Sequence, residues 1–308
     1  MRVTLVGLLQ AAAIVTAVFS LVTALPLNHF AVQLFTHFRL QYLVASLLLL
    51  LLFAGFRQPA YATAMLLIVV LNAALVLPWY TGAGNAHGDS AMTVVQANVL
   101  STNQQYDKVI AMLESEKPDV VVFQEVSPHW LMALAELQSE YPHSYAEARE
   151  GNFGIAVFSR MPLVSVTHVD SPPFAYPTVI AKLRLDEYVL NLVATHPTIP
   201  VSRELYAARN TQLDSLYELL ESLDGPTILL GDLNTSMWDV NYRAFETRSG
   251  LRNARKGFGV TPTWPTFMPF AMIPIDHVLV STDIDVRDVH AGPRIGSDHL
   301  PLVVTLSL

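Results

Sequence analysis

The first 80 residues carry almost no charge, and this feature limits the fold more than any other in the chain. The stretch contains no acidic residue and only three formal charges, Arg2, Arg39 and Arg57. Three uncharged apolar runs fill it, at residues 3–25, 40–56 and 60–79. A helix of about 20 apolar residues spans a bilayer, and about 17 is near the lower limit. We therefore predict a membrane anchor over residues 1–80, with about three transmembrane helices in contact with the lipid bilayer.

Two other interpretations of the apolar runs stay open. They could form a buried helical hairpin of a soluble protein, although little in them is polar enough to make a water-facing side. Residues 1–24 could instead be a cleaved signal peptide. That segment has a single Arg before its apolar stretch, and the stretch is longer than the usual ~7–15 residues.

The basic residues and the segment after the third run predict the orientation. Arg2 and Arg57 would lie inside and Arg39 outside, which the positive-inside rule favours. Residues 80–107 contain no Lys or Arg, so this segment is easily translocated. Residues 81–91 include several Gly residues and predict a short, flexible linker. We expect a multi-pass protein of the cell membrane whose domain 92–308 is extracytoplasmic, either periplasmic or extracellular.

The rest of the chain is acidic and lacks cysteine. Of the 18 Lys and Arg residues 15 lie in 90–308, as do 25 of the 26 acids, which gives a net charge of −10. An acidic domain gains little from counterion release on nucleic acid, so tight, non-specific DNA binding is disfavoured. The absence of cysteine excludes disulfides, thiolate catalysis and Cys-ligated zinc.

From residue 92 onward, strand and helix patterns alternate. Helices are predicted at 104–116, 128–139, 202–223 and 239–247. Strands are predicted at 93–99, 119–124, 154–158, 163–169, 179–185, 188–195, 227–230, 275–281, 284–290 and 302–306. This order predicts a mixed α/β domain in which two sheets pack face to face with helices outside.

Polar side chains stand at the ends of six predicted strands. They are Gln96-Ala97-Asn98, Gln124-Glu125, Thr195-His196, Gly231-Asp232-Leu233-Asn234, Asp276-His277 and Asp298-His299. Alternate residues of a strand share a side, so Asp232 and Asn234 can point into one cleft. Any one of these groups alone is more often a helix cap or a surface residue. Six together indicate a cleft that binds a metal and a phosphate ester.

With these motifs in view, the chain resembles the endonuclease/exonuclease/phosphatase superfamily, which includes DNase I-like nucleases, inositol polyphosphate phosphatases and neutral sphingomyelinases. The resemblance covers residues 92–308. The matching motifs are Val95-Gln-Ala-Asn98, Val122-Phe-Gln-Glu125, Ala194-Thr-His196, Gly231-Asp-Leu-Asn234, Ile275-Asp-His277 and Gly296-Ser-Asp-His299. The strand at 154–160 also resembles a central strand of the family. The resemblance implies an α/β fold of the four-layer, DNase I-like sandwich type.

The resemblance further implies a Mg²⁺ or Mn²⁺ cofactor. Glu125 matches the main metal ligand, Asn98 supports it, and Asp298 lies near the metal. Magnesium prefers carboxylate and amide oxygens and keeps several waters, which suits these residues. The residues after Asn98 are Val99 and Leu100, where the family's base-excision nucleases carry an acid. This departure disfavours a role in DNA repair.

The same resemblance assigns the catalytic groups. Asp232 orients or deprotonates the attacking water, while Asn234 and His196 hold phosphate oxygens. His299 lies against the phosphate and is oriented by Asp276. A neighbouring carboxylate favours the protonated form of His299, which can then stabilise developing negative charge. With no candidate covalent nucleophile, we expect in-line attack by water.

The substrate stays open between two enzyme classes. A membrane-associated phosphate of lipid type is favoured by the apolar, Pro-rich segment 263–274, in which Trp264, Phe267 and Phe270 could contact acyl chains. The same segment could equally be a loop packed on a sheet. An anchored extracellular nuclease would need basic residues near its cleft. Candidates are Arg149, Arg160, Arg203, Arg209, Arg252, Arg255 and Lys256. In this interpretation nucleic acid is a partner only as substrate.

A third interpretation is a non-catalytic binding module built on the same scaffold. It requires the loss of metal or acid–base groups, and the sequence retains both kinds. We predict no protein partner.

Overall fold

The N-terminal region is helical throughout most of its length. The computed structural model describes residues 4–82, 91–185 and 188–307, so most of the predicted linker at 81–91 lies outside the described residues. The N-terminal helices are α1 (Leu5–Val22), α2 (Phe30–Thr36), α3 (Arg39–Gly55) and α4 (Pro59–Val76). Thr4 caps the start of α1 through its side chain, and Pro59 occupies the first turn of α4, where its missing N–H costs nothing.

Two helices in the described part of the chain are long and apolar enough to cross a membrane. They are α1 and the segment Pro59–Tyr80, which extends α4 by one 3-10 turn. A third span exists if α2 and α3, which meet at 67°, are taken as one bent span. These helices suggest membrane association. The sequence-based number of about three spans stays a prediction.

A buried polar cluster joins α1, α3 and α4. The Arg39 guanidinium donates to the Ser20 carbonyl at 3.0 Å and to Asn72 Oδ1 at 3.3 Å. The Asn72 amide donates in turn to Ser20 Oγ at 2.9 Å. A buried charge is tolerated where such partners satisfy it. Arg39 therefore lies between helices, where these hydrogen bonds hold it.

Two six-stranded sheets form the centre of the domain that follows. The strands are β1 (Ala91–Asn98), β2 (Val120–Gln124), β3 (His143–Glu147), β4 (Ile155–Ser159), β5 (Leu163–Ser171), β6 (Tyr176–Leu185), β7 (Tyr188–Thr195), β8 (Thr227–Asp232), β9 (Arg252–Asn253), β10 (Asp276–Val280), β11 (Asp285–Ala291) and β12 (Leu302–Ser307). The first sheet has the order β11-β12-β1-β2-β4-β3, and the second has the order β5-β6-β7-β8-β10-β9.

Each sheet contains one parallel pair near its centre. β1 runs parallel to β2, and β7 runs parallel to β8, while the other described pairings are antiparallel. The carboxyl ends of parallel strands meet at one edge of a sheet. Residues that follow these four strands are therefore brought together, which positions the site described below.

The sheets pack face to face over an apolar core, and helices cover their outer faces. Residues such as Val94, Val122, Leu192, Leu230 and Val304 fill the space between the sheets. The covering helices are α5 (Tyr106–Glu116) and α6 (Pro128–Ala133) on the first sheet, and α7 (Arg203–Glu221) and α8 (Val240–Ser249) on the second. This arrangement confirms the predicted DNase I-like, four-layer α/β sandwich.

The predicted elements of the sandwich lie within three residues of the observed ones, with three exceptions. The two-residue strand β9 was not predicted. The helix predicted over 128–139 is divided into α6 and the 3-10 segment Leu134–Ser139. Strand β3 was not predicted, because this edge strand is only partly buried and its residues do not alternate between apolar and polar. In the N-terminal region α2 was missed, since seven residues are too few for a helical period to be recognised.

The N-terminal helices contact the sandwich directly. The Trp79 carbonyl accepts hydrogen bonds from the N–H groups of Gly257 at 3.0 Å and Gly259 at 2.7 Å. The indole N–H of Trp238 donates to the Leu75 carbonyl at 3.1 Å. Val76 joins the same apolar cluster as the helices that cover the second sheet. The N-terminal helical region is thus packed against the domain as well as joined to it through the chain.

Candidate active site

Polar side chains from both sheets meet at one end of the sandwich. In the first sheet Asn98 ends β1 and Glu125 follows β2. In the second, His196 follows β7, Asp232 ends β8 and Asn234 comes two residues later. All five are buried. The structure therefore brings together the strand ends that the sequence singled out. An Ala at Gly231 would place its Cβ 2.2 Å from the Thr195 carbonyl, so the close approach of β7 and β8 requires this glycine.

Asn98 links two carboxylates at the centre of the site. Its amide nitrogen lies 3.0 Å from Glu125 Oε1 and 3.3 Å from Asp232 Oδ2. The Leu100 N–H donates to Asn98 Oδ1 at 3.0 Å, and the Ser101 N–H donates to Glu125 Oε2 at 3.1 Å. Backbone donors therefore fix the two side chains predicted to hold the metal.

The backbone at this end of the sandwich is strained at three residues. Leu100, Glu125 and Asn234 adopt positive φ angles of 60°, 61° and 50°. Non-glycine residues in this region cost on the order of 1–3 kcal/mol each and persist where the surrounding structure fixes them. Two of the three carry polar side chains of the site, so the strain accompanies the orientation of those groups.

A histidine–carboxylate pair faces the same cleft. Strand β10 runs antiparallel to β8 and places Asp276 opposite Asp232. His299 Nδ1 donates to Asp276 Oδ2 at 2.9 Å, and the Gln96 amide donates to Asp276 Oδ1 at 2.8 Å. His299 Nε2 lies 3.6 Å from Asp232 Oδ2. Asp276 thus orients the imidazole of His299, and Gln96, a residue the sequence analysis gave no role, orients Asp276.

Nearby carboxylates determine the charge of both histidines in the cleft. Burial lowers the pKa of His299, but the charges of Asp276 and Asp232 outweigh it and raise this pKa to about 10. Burial also opposes protonation of His196, but its contact with Asp232 at 3.4 Å raises its pKa above the usual value. Burial raises the pKa of Asp276, yet the charge of His299 brings it below the usual range. Near neutral pH His299 is therefore an imidazolium beside the carboxylate of Asp276.

Each residue of the loop Asn234-Thr235-Ser236 forms a hydrogen bond with another part of the protein. The Asn234 carbonyl accepts from the Arg209 guanidinium at 3.4 Å, and the Thr235 carbonyl accepts from His277 Nε2 at 2.8 Å. Ser236 contacts His37 of the N-terminal region. The Asn234 N–H donates to Asp232 Oδ1 at 2.9 Å. The loop therefore presents Asn234 to the cleft in a fixed position.

A pocket of about 280 Å³ opens above this cluster. Its polar base includes Glu125, His196, Asp232, Asn234 and His299. Its walls are mostly apolar. They include Leu34, Phe38, Leu100, Phe153, Ile199, Pro200, Val201, Trp264, Ile273 and Ile275. Of the described residues that line the pocket, none is Lys or Arg, so none of the basic residues considered for a nuclease lies there.

Of the residues predicted at the margin of the site, two line the pocket and two do not. The indole N–H of Trp264 donates to Asp298 Oδ2 at 2.9 Å, and both residues line the pocket. Phe267 and Phe270 follow on the same loop, lie outside the pocket and are 69% and 79% exposed. Leu34, His37 and Phe38 also line the pocket and were not predicted, although His37 is a polar residue between two apolar runs.

The donor set fits a divalent cation. A ring nitrogen of His299 and carboxylate oxygens of Asp232 and Asp276 lie within 4.8 Å of one another, and Glu125 is joined to Asp232 through Asn98. Because protonated His299 has no free lone pair, the carboxylate and amide oxygens are the available donors. The predicted metal ligands, Glu125, Asn98 and Asp298, are not members of this cluster but lie close to it. Carboxylates outnumber imidazoles, and unpaired buried charge is costly, so binding of a cation would stabilise the group. Oxygen donors of this type suit Mg²⁺ or Mn²⁺.

Solved structures show the same fold. D. rerio TDP2 humanized by 14 mutations is 17% identical with a TM-score of 0.60, and the match covers 71% of this chain and 100% of TDP2. The endonuclease/exonuclease/phosphatase from Beutenbergia cavernae is 22% identical with a TM-score of 0.59, over 71% of this chain and 72% of that one. The human Nocturnin catalytic domain is 20% identical with a TM-score of 0.58, over 70% and 94%. Comparison with curated proteins gave no match.

The sequence itself carries the family assignment. The profile of the Endonuclease/Exonuclease/phosphatase family matches residues 85–299, which is more than half of the chain. The family is generally dependent on divalent metals, in agreement with the buried acidic cluster. This chain belongs to the Endonuclease/Exonuclease/phosphatase family, whose members are hydrolases that act on phosphoester bonds.

Proposed function

We propose that this chain hydrolyses a phosphoester bond of an amphiphilic, membrane-associated substrate by attack of water. The observation that carries the proposal is the position of the buried acid–base cluster at the base of a pocket with apolar walls. A phosphate group matches the polar base. The apolar part of a lipid-type substrate matches the walls, because burial of apolar surface is favourable.

The loop that carries Trp264 supports a substrate in the membrane. Its exposed Phe267 and Phe270 are the kind of side chains that enter the interface of a bilayer. The carbonyl of Met272, at the end of the same loop, accepts a hydrogen bond from the Gln41 amide of α3 at 2.7 Å. This contact ties the loop to a candidate membrane helix, so both would face the same bilayer.

Glu125, Asn98 and Asp298 are the residues we propose for holding Mg²⁺ or Mn²⁺. When bound, the ion would neutralise charge on the phosphate and act as a Lewis acid. Within the chain, Asp232 would orient the attacking water and accept its proton. Protonated His299, oriented by Asp276, would donate to a phosphate oxygen. His196 and Asn234 would donate to the remaining oxygens.

A nuclease is the alternative enzyme of this family. D. rerio TDP2 has been solved in complex with a single-strand DNA product, and its fold matches this chain with a TM-score of 0.60. Binding of a nucleic acid backbone normally uses Lys and Arg. Of the described residues, none of these types lines the pocket, and Arg209 and Arg255 are fully buried. These observations favour the lipid-type substrate.

We further propose that the protein is a multi-pass protein of the cell membrane with the domain 92–308 on the extracytoplasmic side. The candidate spans and the absence of basic residues from 80–107 support this topology. A reporter enzyme fused after the C-terminus should be active only if exported. A fusion active only in the cytoplasm would contradict the topology without affecting the proposed reaction.

The reaction is tested on the full chain in detergent with a panel of substrates. The panel contains a phospholipid, a soluble phosphodiester, a phosphomonoester and single-stranded DNA, each assayed with Mg²⁺, Mn²⁺ or EDTA. We expect the lipid to have the highest kcat/KM, EDTA to abolish turnover and either metal to restore it. Glu125→Gln serves as the inactive control. Faster cleavage of DNA, with a steep fall at high salt, would establish the nuclease instead.

The apolar loop provides a second test. Replacing Trp264, Phe267 and Phe270 together by Ser should reduce the kcat/KM ratio of lipid over soluble diester. If both substrates lose activity equally, the loop does not contribute to recognition of lipid.

A further inference from the structure

The corner between α2 and α3 lies in the active site, although it belongs to the candidate membrane region. Leu34 of α2 and Phe38 at the corner line the pocket together with Glu125 and Asp232. Both apolar side chains are partly buried, so part of each remains accessible to a ligand in the pocket. A ligand that extends from the catalytic cluster along this wall would contact both.

His37 fixes the corner to the catalytic loop. Its Nδ1 lies 2.9 Å from Ser236 Oγ and 3.3 Å from the Ser236 backbone nitrogen, and both side chains are buried. A backbone N–H can only donate, so Nδ1 is the acceptor in this contact. Ser236 is two residues from Asn234, which belongs to the polar base of the pocket. His37 therefore connects the apolar wall to the catalytic loop.

Three further hydrogen bonds attach the same part of the N-terminal region to the sandwich. Gln41 donates to the Met272 carbonyl at 2.7 Å. Gln33 accepts at 3.3 Å from the first backbone N–H of α8. Asn28 accepts at 2.7 Å from the hydroxyl of Tyr206 on α7. The corner is thus held against three separate elements of the domain, which makes it a fixed wall of the pocket.

We infer that this corner is a substrate-binding wall of the active site. Leu34 and Phe38 bind the apolar tail of a phosphoester amphiphile, and His37 positions that wall relative to Asn234. The inference rests on the proposed function. The tail would run from the scissile phosphate toward the N-terminal helices, so the anchor selects the substrate as well as attaching the domain to the membrane.

The test uses two substrates that differ only in their tail, ethyl p-nitrophenyl phosphate and dodecyl p-nitrophenyl phosphate. The scissile ester and the leaving group are the same, so the ratio of their kcat/KM values reports recognition of the tail. We expect the full chain, in detergent with Mn²⁺, to prefer the dodecyl ester. Phe38→Ser should reduce the dodecyl-to-ethyl ratio by about fivefold or more, the range for a lost apolar contact.

Phe35→Ser is the matched control. Phe35 lies three residues before Phe38, is 42% exposed and is not among the residues that line the pocket. This variant should keep the ratio of the unaltered protein. Leu34→Ala provides a milder second variant if Phe38→Ser does not fold, and it should also reduce the ratio. A ratio left unchanged by both wall variants would overturn the inference, and so would an equal fall in the Phe35 control.

The positioning role of His37 has its own measurement. His37→Ala should reduce the ratio, and His37→Asn should restore it, because the Asn side-chain oxygen can accept where Nδ1 did. If both variants leave the ratio unchanged and only lower the melting temperature, His37 is structural and its assigned role is wrong. If the unaltered protein hydrolyses both esters without preferring the dodecyl tail, the proposed function is wrong. If it prefers the dodecyl ester but the wall variants keep that preference, only the inference about the corner is wrong.

Discussion

Strand β10 places two adjacent residues on opposite faces of the second sheet, and each face contains a buried histidine. On the cleft face, Asp276 accepts a hydrogen bond from His299 at 2.9 Å. On the outer face, His277 accepts from the Asn253 amide at 3.0 Å and donates to the Thr235 carbonyl at 2.8 Å. Both histidines are almost fully buried, so burial alone does not distinguish them.

The difference lies in the charges that surround each imidazole. Burial and the charge of Arg255 lower the pKa of His277 to about 3. Burial also lowers the pKa of His299, but the carboxylates of Asp276 and Asp232 raise it to about 10. Near neutral pH His299 is therefore a cation able to contact phosphate, and His277 is a neutral link that supports the loop of Asn234. The comparison teaches that neighbouring carboxylates, and not depth of burial, determine whether a buried histidine is charged here.

The largest expected effect is the difference in activity between His299→Gln and His277→Gln. His299→Gln should lower kcat/KM on a phosphodiester by about 10²–10⁴-fold, the usual contribution of a general acid or base. His277→Gln should lower it by less than about tenfold, because this residue does not reach the cleft. Steady-state kinetics of the two variants, with circular dichroism to verify folding, provide the measurement. Equal losses would show that the two faces are not functionally distinct.

A second effect is a shift of the pH profile. Asp276→Asn removes the carboxylate nearest to His299, so the pKa of His299 should fall toward its usual value. The basic limb of kcat/KM against pH should then move to lower pH than in the unaltered protein. Asp288→Asn, an exposed acid on β11, serves as the control and should leave the limb in place. A basic limb that does not move in Asp276→Asn would mean that His299 does not determine it.

Much of the polar base of the pocket could be predicted, because its residues are recognisable from local sequence patterns. Strand alternation and the polar residues at strand ends are visible in the sequence, and they indicate Asp232 and Asn234. The motifs Asp276-His277 and Asp298-His299 look alike in sequence, however. Only the resemblance to a family separated their histidines, and only the structure gives the physical reason. His277 lies on the outer face of β10, whereas His299, which precedes β12, contacts Asp276 on the cleft face of β10.

The apolar wall could not be predicted in the same way. Its contacts join residues about 200 positions apart, as in His37 with Ser236 and Gln41 with Met272. No periodicity or spacing encodes such a contact. The seven-residue helix α2 is also too short to be recognised among apolar runs that resemble membrane spans. The fold of the domain was therefore predictable, while the packing of the N-terminal helices against it was not.

The smallest expected effect concerns stability at acid pH. The pKa of His277 is about 3 in the folded protein and 6.5 ordinarily, so between these values the unfolded chain binds a proton that the folded chain does not. This group alone should lower the free energy of unfolding by up to about 1.4 kcal/mol per pH unit as the pH falls. His277→Gln removes that slope. The stability advantage of the unaltered protein over His277→Gln should therefore shrink below pH 6.5, as measured by unfolding in detergent with EDTA.

The same experiment on His299 should give the opposite sign. Its pKa is raised to about 10, so its contribution to stability is fully present below pH 6.5 and is lost as the pH rises toward 10. The stability difference between the unaltered protein and His299→Gln should therefore shrink on the alkaline side, where the His277 difference stays constant. Because each value is a difference from one parent protein, the other titrating groups largely cancel. Two differences that shrink on the same side of neutrality would contradict the electrostatic contrast between the faces of β10.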